Sequence, residues 1–197
     1  MAPCRLARAM NTIEAYDLGI LYYFGSLHRP WLDEAALAVT WLGNTRTLAV
    51  VVALAALVFV LVRRRRAGMA IVAASLAAWW LEYGVKRLVG RPRPDVAWRL
   101  IDLPGSPSFP SGHALVSMAV YGSLGLLSAR TIRGPWRYAV GGVGFGLPIV
   151  IGLTRPYLGV HYLGDVFAGW VAGLACALAA GSIGEGQKGD SADGAGG

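Results

Sequence analysis

Charge is scarce in this chain: 15% of its 197 residues are Asp, Glu, Lys or Arg, against roughly 25% in an average soluble domain. Cysteine is almost missing. Cys4 lies near the terminus and Cys176 inside an apolar run, so the pair offers no disulfide framework. Histidine is limited to His28, His113 and His161. The opening residues lack an apolar core ahead of a small-residue cleavage site, so no secretory leader is expected. The glycines at 141, 142, 144 and 146 lack the strand context and spacing of a dinucleotide loop. Acidic residues are few, 11 against 18 basic ones, for a net charge of +7. That excess is concentrated at the ends of apolar runs, and no nucleic-acid partner is needed to explain it.

What the chain has is apolar length. It is 55% hydrophobic, with a mean hydropathy of +0.51. A bilayer span needs about 20 mostly apolar residues, and five stretches approach or meet that length: 41–62, 67–85, 112–129, 138–153 and 159–181. The expected fold is therefore all-α, an integral membrane helical bundle of about five to six transmembrane helices with N-terminal interfacial helices. Residues 13–24 contain Glu14 and Asp17 and are too short to cross. Residues 31–40 follow Pro30 and carry Asp33 and Glu34 in their first turn, where acidic groups complement the helix dipole. Both are expected to lie at the interface. This divides the chain into an interfacial segment (1–40), a transmembrane core (41–181) and a glycine-rich polar tail (182–197), expected to be disordered.

The tight turn at 63–66 holds four consecutive arginines, and Arg130, Arg133 and Arg137 fall between the third and fourth spans. Both loops read as cytoplasmic. The opposite face also carries basic residues, including Arg29, Arg46, Lys86, Arg87, Arg91, Arg93, Arg99 and Arg155, several of which belong to motifs that an anionic substrate would require.

Three such motifs stand out: KRLVGRPRP at 86–94, PSGH at 110–113 and TRPYLGVHYLGD at 154–165. Alternation of the five spans puts the first two in one long loop and the third at the junction of spans four and five, all on one face. If the fifth span begins near Gly159, His161 and Asp165 are one helical turn apart on a common face. A carboxylate at Nδ1 would then fix the tautomer and leave Nε2 free to attack phosphorus. Arg155 can reach the same phosphate with a permanently charged fork. Ser111 is expected as the N-cap of the third span, with Gly112 allowing close backbone approach and His113 in the first turn. A helix N-terminus favours anions, and His113 could act as acid toward the leaving group and then as base toward water. Lys86 and Arg93 would add counter-charge. Glu82, one turn before Lys86, either orients it or forms a simple pair with it. Gly169 and Gly173 form a G-x-x-x-G suited to close helix contact. Taken singly these features have bland readings: PSGH is a common helix start, and His–Asp one turn apart is commonly structural.

Together they resemble the type 2 phosphatidic acid phosphatase superfamily of integral membrane lipid phosphatases. That family's signature is Lys, six residues, Arg-Pro; then Pro-Ser-Gly-His; then Ser-Arg, five residues, His, three residues, Asp. Lys86 with Arg93-Pro94, residues 110–113, and Arg155, His161 and Asp165 keep every spacing, with Thr154 in place of the usual serine. The likeness covers roughly residues 31–181. It implies a phosphohistidine mechanism without metal or other cofactor. His161 would be the nucleophile, His113 the acid and base, and Asp165 the orienting group. Lys86, Arg93, Ser111, Gly112 and Arg155 would hold the phosphate. It further implies a lipid phosphate or diphosphate substrate met at the outer face of a bacterial plasma membrane, with undecaprenyl diphosphate as the leading expectation. Phosphatidylglycerophosphate or phosphatidic acid hydrolysis and lipid phosphotransfer are the alternatives.

Overall fold

A computed structural model of the chain describes the backbone of residues 2–184 and the side chains of residues 14–184. These residues form seven helices and no strand: α1 (Ala2–Ser26), α2 (Pro30–Trp41), α3 (Thr45–Leu61), α4 (Arg65–Val89), α5 (Gly112–Ala129), α6 (Trp136–Tyr157) and α7 (Leu163–Gly184). Helices α4 to α7 are each long and apolar enough to cross a membrane, and α2 with α3 passes the same test as a pair bent by 50°, giving four or five spans. The expected all-α membrane bundle is the observed one, with four or five candidate spans against the five to six that the sequence suggests. The expected tail at 182–197 lies largely outside the described residues, and α7 continues to Gly184.

Helix α5 is the axis of the bundle. It packs along α6 and α7 and is flanked by α3 and α4, with Leu115, Val116, Ala119 and Val120 buried against Leu48, Ala78 and Ile151. The α5–α7 approach depends on Gly169 and Gly173: a methyl group on either would collide with the carbonyl of Ser111 or Leu115, respectively. The G-x-x-x-G thus does what its spacing suggests, bringing two backbones together. Helix α4 ends on Gly90 in the left-handed region (φ 61°), whose N–H returns to the Lys86 carbonyl, with Lys86 and Arg87 in the last turn. Both features suit a helix C-terminus.

Three spans depart most from expectation, and α4 also runs past the expected 67–85 at both ends. The span expected at 41–62 is broken at residues 42–44. Gly43 sits so close to Ile151 and His113 that a side chain would not fit, Tyr121 donates to the Leu42 carbonyl at 2.9 Å, and Asn44 caps the new start at α3. The fourth span is longer than 138–153, because the helix runs on through Pro148 and Pro156 and carries Arg155 in its last turn. The fifth starts later than Gly159, which takes a left-handed conformation (φ 76°). Residues 158–162 form a tight turn there, with Val160 N–H bonded to the Arg155 carbonyl at 3.2 Å.

The N-terminal segment is joined to the core. Helix α2 packs on α6, and α1 on α6 and α7, with Leu21 fully buried. His28 stacks on Tyr157 at 4.6 Å between ring centroids and bonds the Tyr157 carbonyl through Nε2 at 3.0 Å.

Candidate active site

All three motifs meet at one end of the bundle. Lys86 comes from the last turn of α4, Arg93 from the loop at 90–111, Ser111, Gly112 and His113 from the start of α5, and Arg155 from the end of α6. His161 lies in the turn before α7, and Asp165 is in the first turn of that helix. The Ser111 N–H donates to the Asp165 carbonyl at 3.0 Å, which ties the second motif to the third. His113 is within electrostatic reach of Arg155, His161, Lys86 and Arg93.

His161 and Asp165 do not share a helix face, as a start at Gly159 would have required. The turn at 158–162 folds His161 back over the first turn of α7. Its Nδ1 lies 3.5 Å from Asp165 Oδ2 and 3.3 Å from Ser108 Oγ, while the Ser108 hydroxyl donates to the same carboxylate oxygen. Ser108 therefore lies beside the pair and touches both ring and carboxylate. On the other side, Arg93 Nη1 is 3.0 Å from His161 Nε2. A guanidinium can only donate, so Nε2 accepts and the ring proton belongs on Nδ1. Burial, reinforced by the charges of Arg155 and Arg93 and opposed by the Asp165 hydrogen bond, pushes the His161 pKa down to about 3. The imidazole is neutral, with its lone pair directed at the basic cluster.

The basic groups are held at fixed positions. Arg93 donates to the carbonyls of Ser106 (2.8 Å) and Val160 (2.9 Å), and burial lowers its pKa against the pull of Asp165 and Glu82. Lys86 Nζ donates to the Pro107 carbonyl at 2.8 Å and pairs with Glu82 at 3.5 Å, so the i,i+4 relation seen in the sequence is made. Arg155, 3% exposed, donates through Nη1 to Thr40 Oγ1 at 2.7 Å, while its Nε has no partner. Ser111 occupies the expected N-cap position, but its hydroxyl makes no cap bond; it is buried and unpartnered. Leaving a buried donor unsatisfied costs about 1–3 kcal/mol. Two such donors beside a helix N-terminus suit an anion.

The structure adds residues that the motifs did not single out. Ser108 is one. Thr40 and Gly43, at and just after the end of α2, touch Arg155 and His113. Arg91 bridges Asp165 (2.6 Å) and Asp17 of α1 (2.8 Å). The one sequence signal for Asp17 is its presence in an otherwise apolar stretch.

Residues 67–185 match the family model described as the PAP2 superfamily. The chain belongs to the PAP2 superfamily. Phosphatidylglycerophosphatase B of Bacillus subtilis (strain 168) is 26% identical over 169 residues, covering 83% of this chain and 81% of that protein. Decaprenylphosphoryl-5-phosphoribose phosphatase of Mycobacterium tuberculosis is 34% identical over 133 residues, covering 64% and 66%. The crystal structure of a transmembrane PAP2 type phosphatidylglycerolphosphate phosphatase from Bacillus subtilis superposes with a TM-score of 0.84 at 25% identity, over 95% of this chain and 94% of that one. This PAP2 protein is accordingly an integral membrane phosphatase, and its seven-helix arrangement is the PAP2 membrane fold.

Proposed function

We propose that this chain is a lipid phosphate phosphatase that works through a covalent phosphohistidine at His161 and needs no metal. The observation that carries this reading is the setting of His161: a neutral ring with its proton toward Ser108 and Asp165 and its Nε2 lone pair facing Arg93. Nε2 attacks phosphorus as the bond from phosphorus to the leaving oxygen breaks, and His113 gives that oxygen its proton. His113 then takes a proton from water, whose oxygen attacks phosphorus. The P–N bond breaks, inorganic phosphate leaves, and the Nε2 lone pair is restored. Lys86, Arg93 and Arg155 supply the positive charge that stabilises the pentacoordinate state, joined by the Ser111 hydroxyl and the Gly112 N–H.

A polyprenyl diphosphate such as undecaprenyl diphosphate is the substrate proposed first. A charged head can reach the basic end of the bundle while the tail stays in the bilayer, and a family relative acts, by its name, on a decaprenyl-linked phosphate. The Bacillus subtilis likenesses favour a second reading, phosphatidylglycerophosphate. The arginine-rich turns at 63–66 and 130–137, at the opposite end of the bundle, support a reading in which the site faces the extracytoplasmic side of a bacterial plasma membrane.

Purified protein in detergent, offered undecaprenyl diphosphate, phosphatidylglycerophosphate and phosphatidic acid, is expected to release phosphate in a vanadate-sensitive, chelator-resistant way. His161→Ala should abolish release; full activity in that variant would remove the proposed nucleophile. Product analysis with an added alcohol separates hydrolysis from phosphotransfer.

A further inference from the structure

Asp17 and Arg91 belong to none of the signature positions, yet they make the shortest ionic contacts at the site. Arg91 Nη1 donates to Asp165 Oδ1 at 2.6 Å and Nη2 to Asp17 Oδ2 at 2.8 Å. Both carboxylates are buried, Asp17 at 5% exposure and Asp165 at 0%. The Tyr162 ring covers the guanidinium at 4.1 Å. Burial opposes the charge on Arg91, but the hydrogen bonds and charges of the two aspartates outweigh it and hold the pKa above its ordinary value.

The same two aspartates organise the start of α7. Asp165 Oδ2 accepts the N–H of Tyr162 at 3.1 Å, as the third-position acid of a capping box does. Tyr162 has no short oxygen with which to cap in return, and Asp17 Oδ1 fills that role from α1, accepting the Gly164 N–H at 3.0 Å. Asp17 thus fixes both the helix turn that carries Asp165 and the arginine that grips it.

The electrostatic consequence concerns the ring. When Nε2 bonds phosphorus while Nδ1 keeps its proton, the imidazole becomes cationic, and a carboxylate behind it stabilises that charge. Arg91 alone would cancel Asp165 at that moment. Asp17 brings a second negative charge, so the two carboxylates and one guanidinium together remain singly negative. We propose that Asp17, through Arg91, is a positioning residue of the reaction, making the N-terminal helix α1 part of the catalytic unit. This rests on the roles proposed above for His161 and Asp165.

The test uses the full chain in detergent and whichever lipid phosphate the unaltered protein hydrolyses. Asp17→Asn is expected to lower kcat about tenfold with KM changed by less than about twofold, because the ring's charge develops during reaction rather than on binding. Phosphoenzyme formation in a single turnover should slow by the same factor. Arg91→Gln removes the clamp on Asp165 and should also lower kcat, and adding Asp17→Asn to it should cost no further tenfold, since Asp17 acts through Arg91 and the double variant keeps a single negative charge behind the ring. Arg91→Lys keeps the charge but cannot grip both carboxylates, so it carries the test if Asp17→Asn does not fold; it too should lose kcat at constant KM. Wild-type kcat per folded molecule in Asp17→Asn or Arg91→Lys, or effects that multiply in the double variant, would overturn the proposal. Either result with an active unaltered protein and an inactive His161→Ala would leave the phosphohistidine reading intact. An active His161→Ala would instead sink that reading.

Discussion

At His161, burial and the neighbouring guanidinia act in the same direction. Desolvation and the positive charges of Arg155 and Arg93 keep the ring neutral, with a pKa near 3, while the Arg93 contact assigns the proton to Nδ1. The folded ring therefore refuses a proton that an unfolded one accepts near its ordinary pKa of about 6.5. Its contribution to stability is complete above that value and declines as pH falls toward 3, the unfolded chain binding the extra proton in that window. The expected observation is a ¹⁵N resonance of His161 that keeps the Nδ1–H neutral pattern down to roughly pH 5, where a free imidazole is mostly protonated. A cationic pattern at that pH would contradict the geometry. The sequence spacings identified which residue types would gather here, but not their partners. Nothing in PSGH indicates that the Ser111 hydroxyl abandons its cap, and nothing in the third motif indicates that Ser108 joins His161 and Asp165, because those contacts are made across elements distant in sequence.

Elements whose ends depend on local chemistry were legible; those whose ends depend on tertiary contact were not. Helix α5 begins and ends where its apolar run does. The break at residues 42–44 is different, since it is needed only because Gly43 meets Ile151 and His113. The late start of α7 likewise follows from the left-handed Gly159, which could have continued a helix as far as the apolar pattern shows. The G-x-x-x-G of α7 is a case where pattern sufficed, because small-residue spacing is a property of one helix face. Gly173→Leu should wedge α7 away from α5 at Leu115. The expected result is a lower melting temperature in detergent, with an overpacking cost of about 1–3 kcal/mol or more, and reduced activity, since α7 carries Asp165. The same replacement at Gly146, where a side chain meets open space, should change the melting temperature far less.

Across the whole molecule, alternation of spans was enough to bring three distant motifs to one end, since a chain that crosses a bilayer has few places to put a loop. It was not enough to enrol α1. Its acidic residues and short apolar run point to the interface, and nothing in that pattern indicates that Asp17 reaches Arg91 and the start of α7. The unpartnered Ser111 hydroxyl and Arg155 Nε have a bearing on the folded state as a whole. Two desolvated donors weaken the protein until an anion satisfies them, so a bound head group adds to heat resistance according to its affinity and concentration. Thermal denaturation of the His161→Ala protein, which should bind without turnover, becomes a label-free screen: phosphate-bearing lipids should raise the melting temperature and their alcohols should not. The ranking of those increments would report which head group the basic end of this bundle fits.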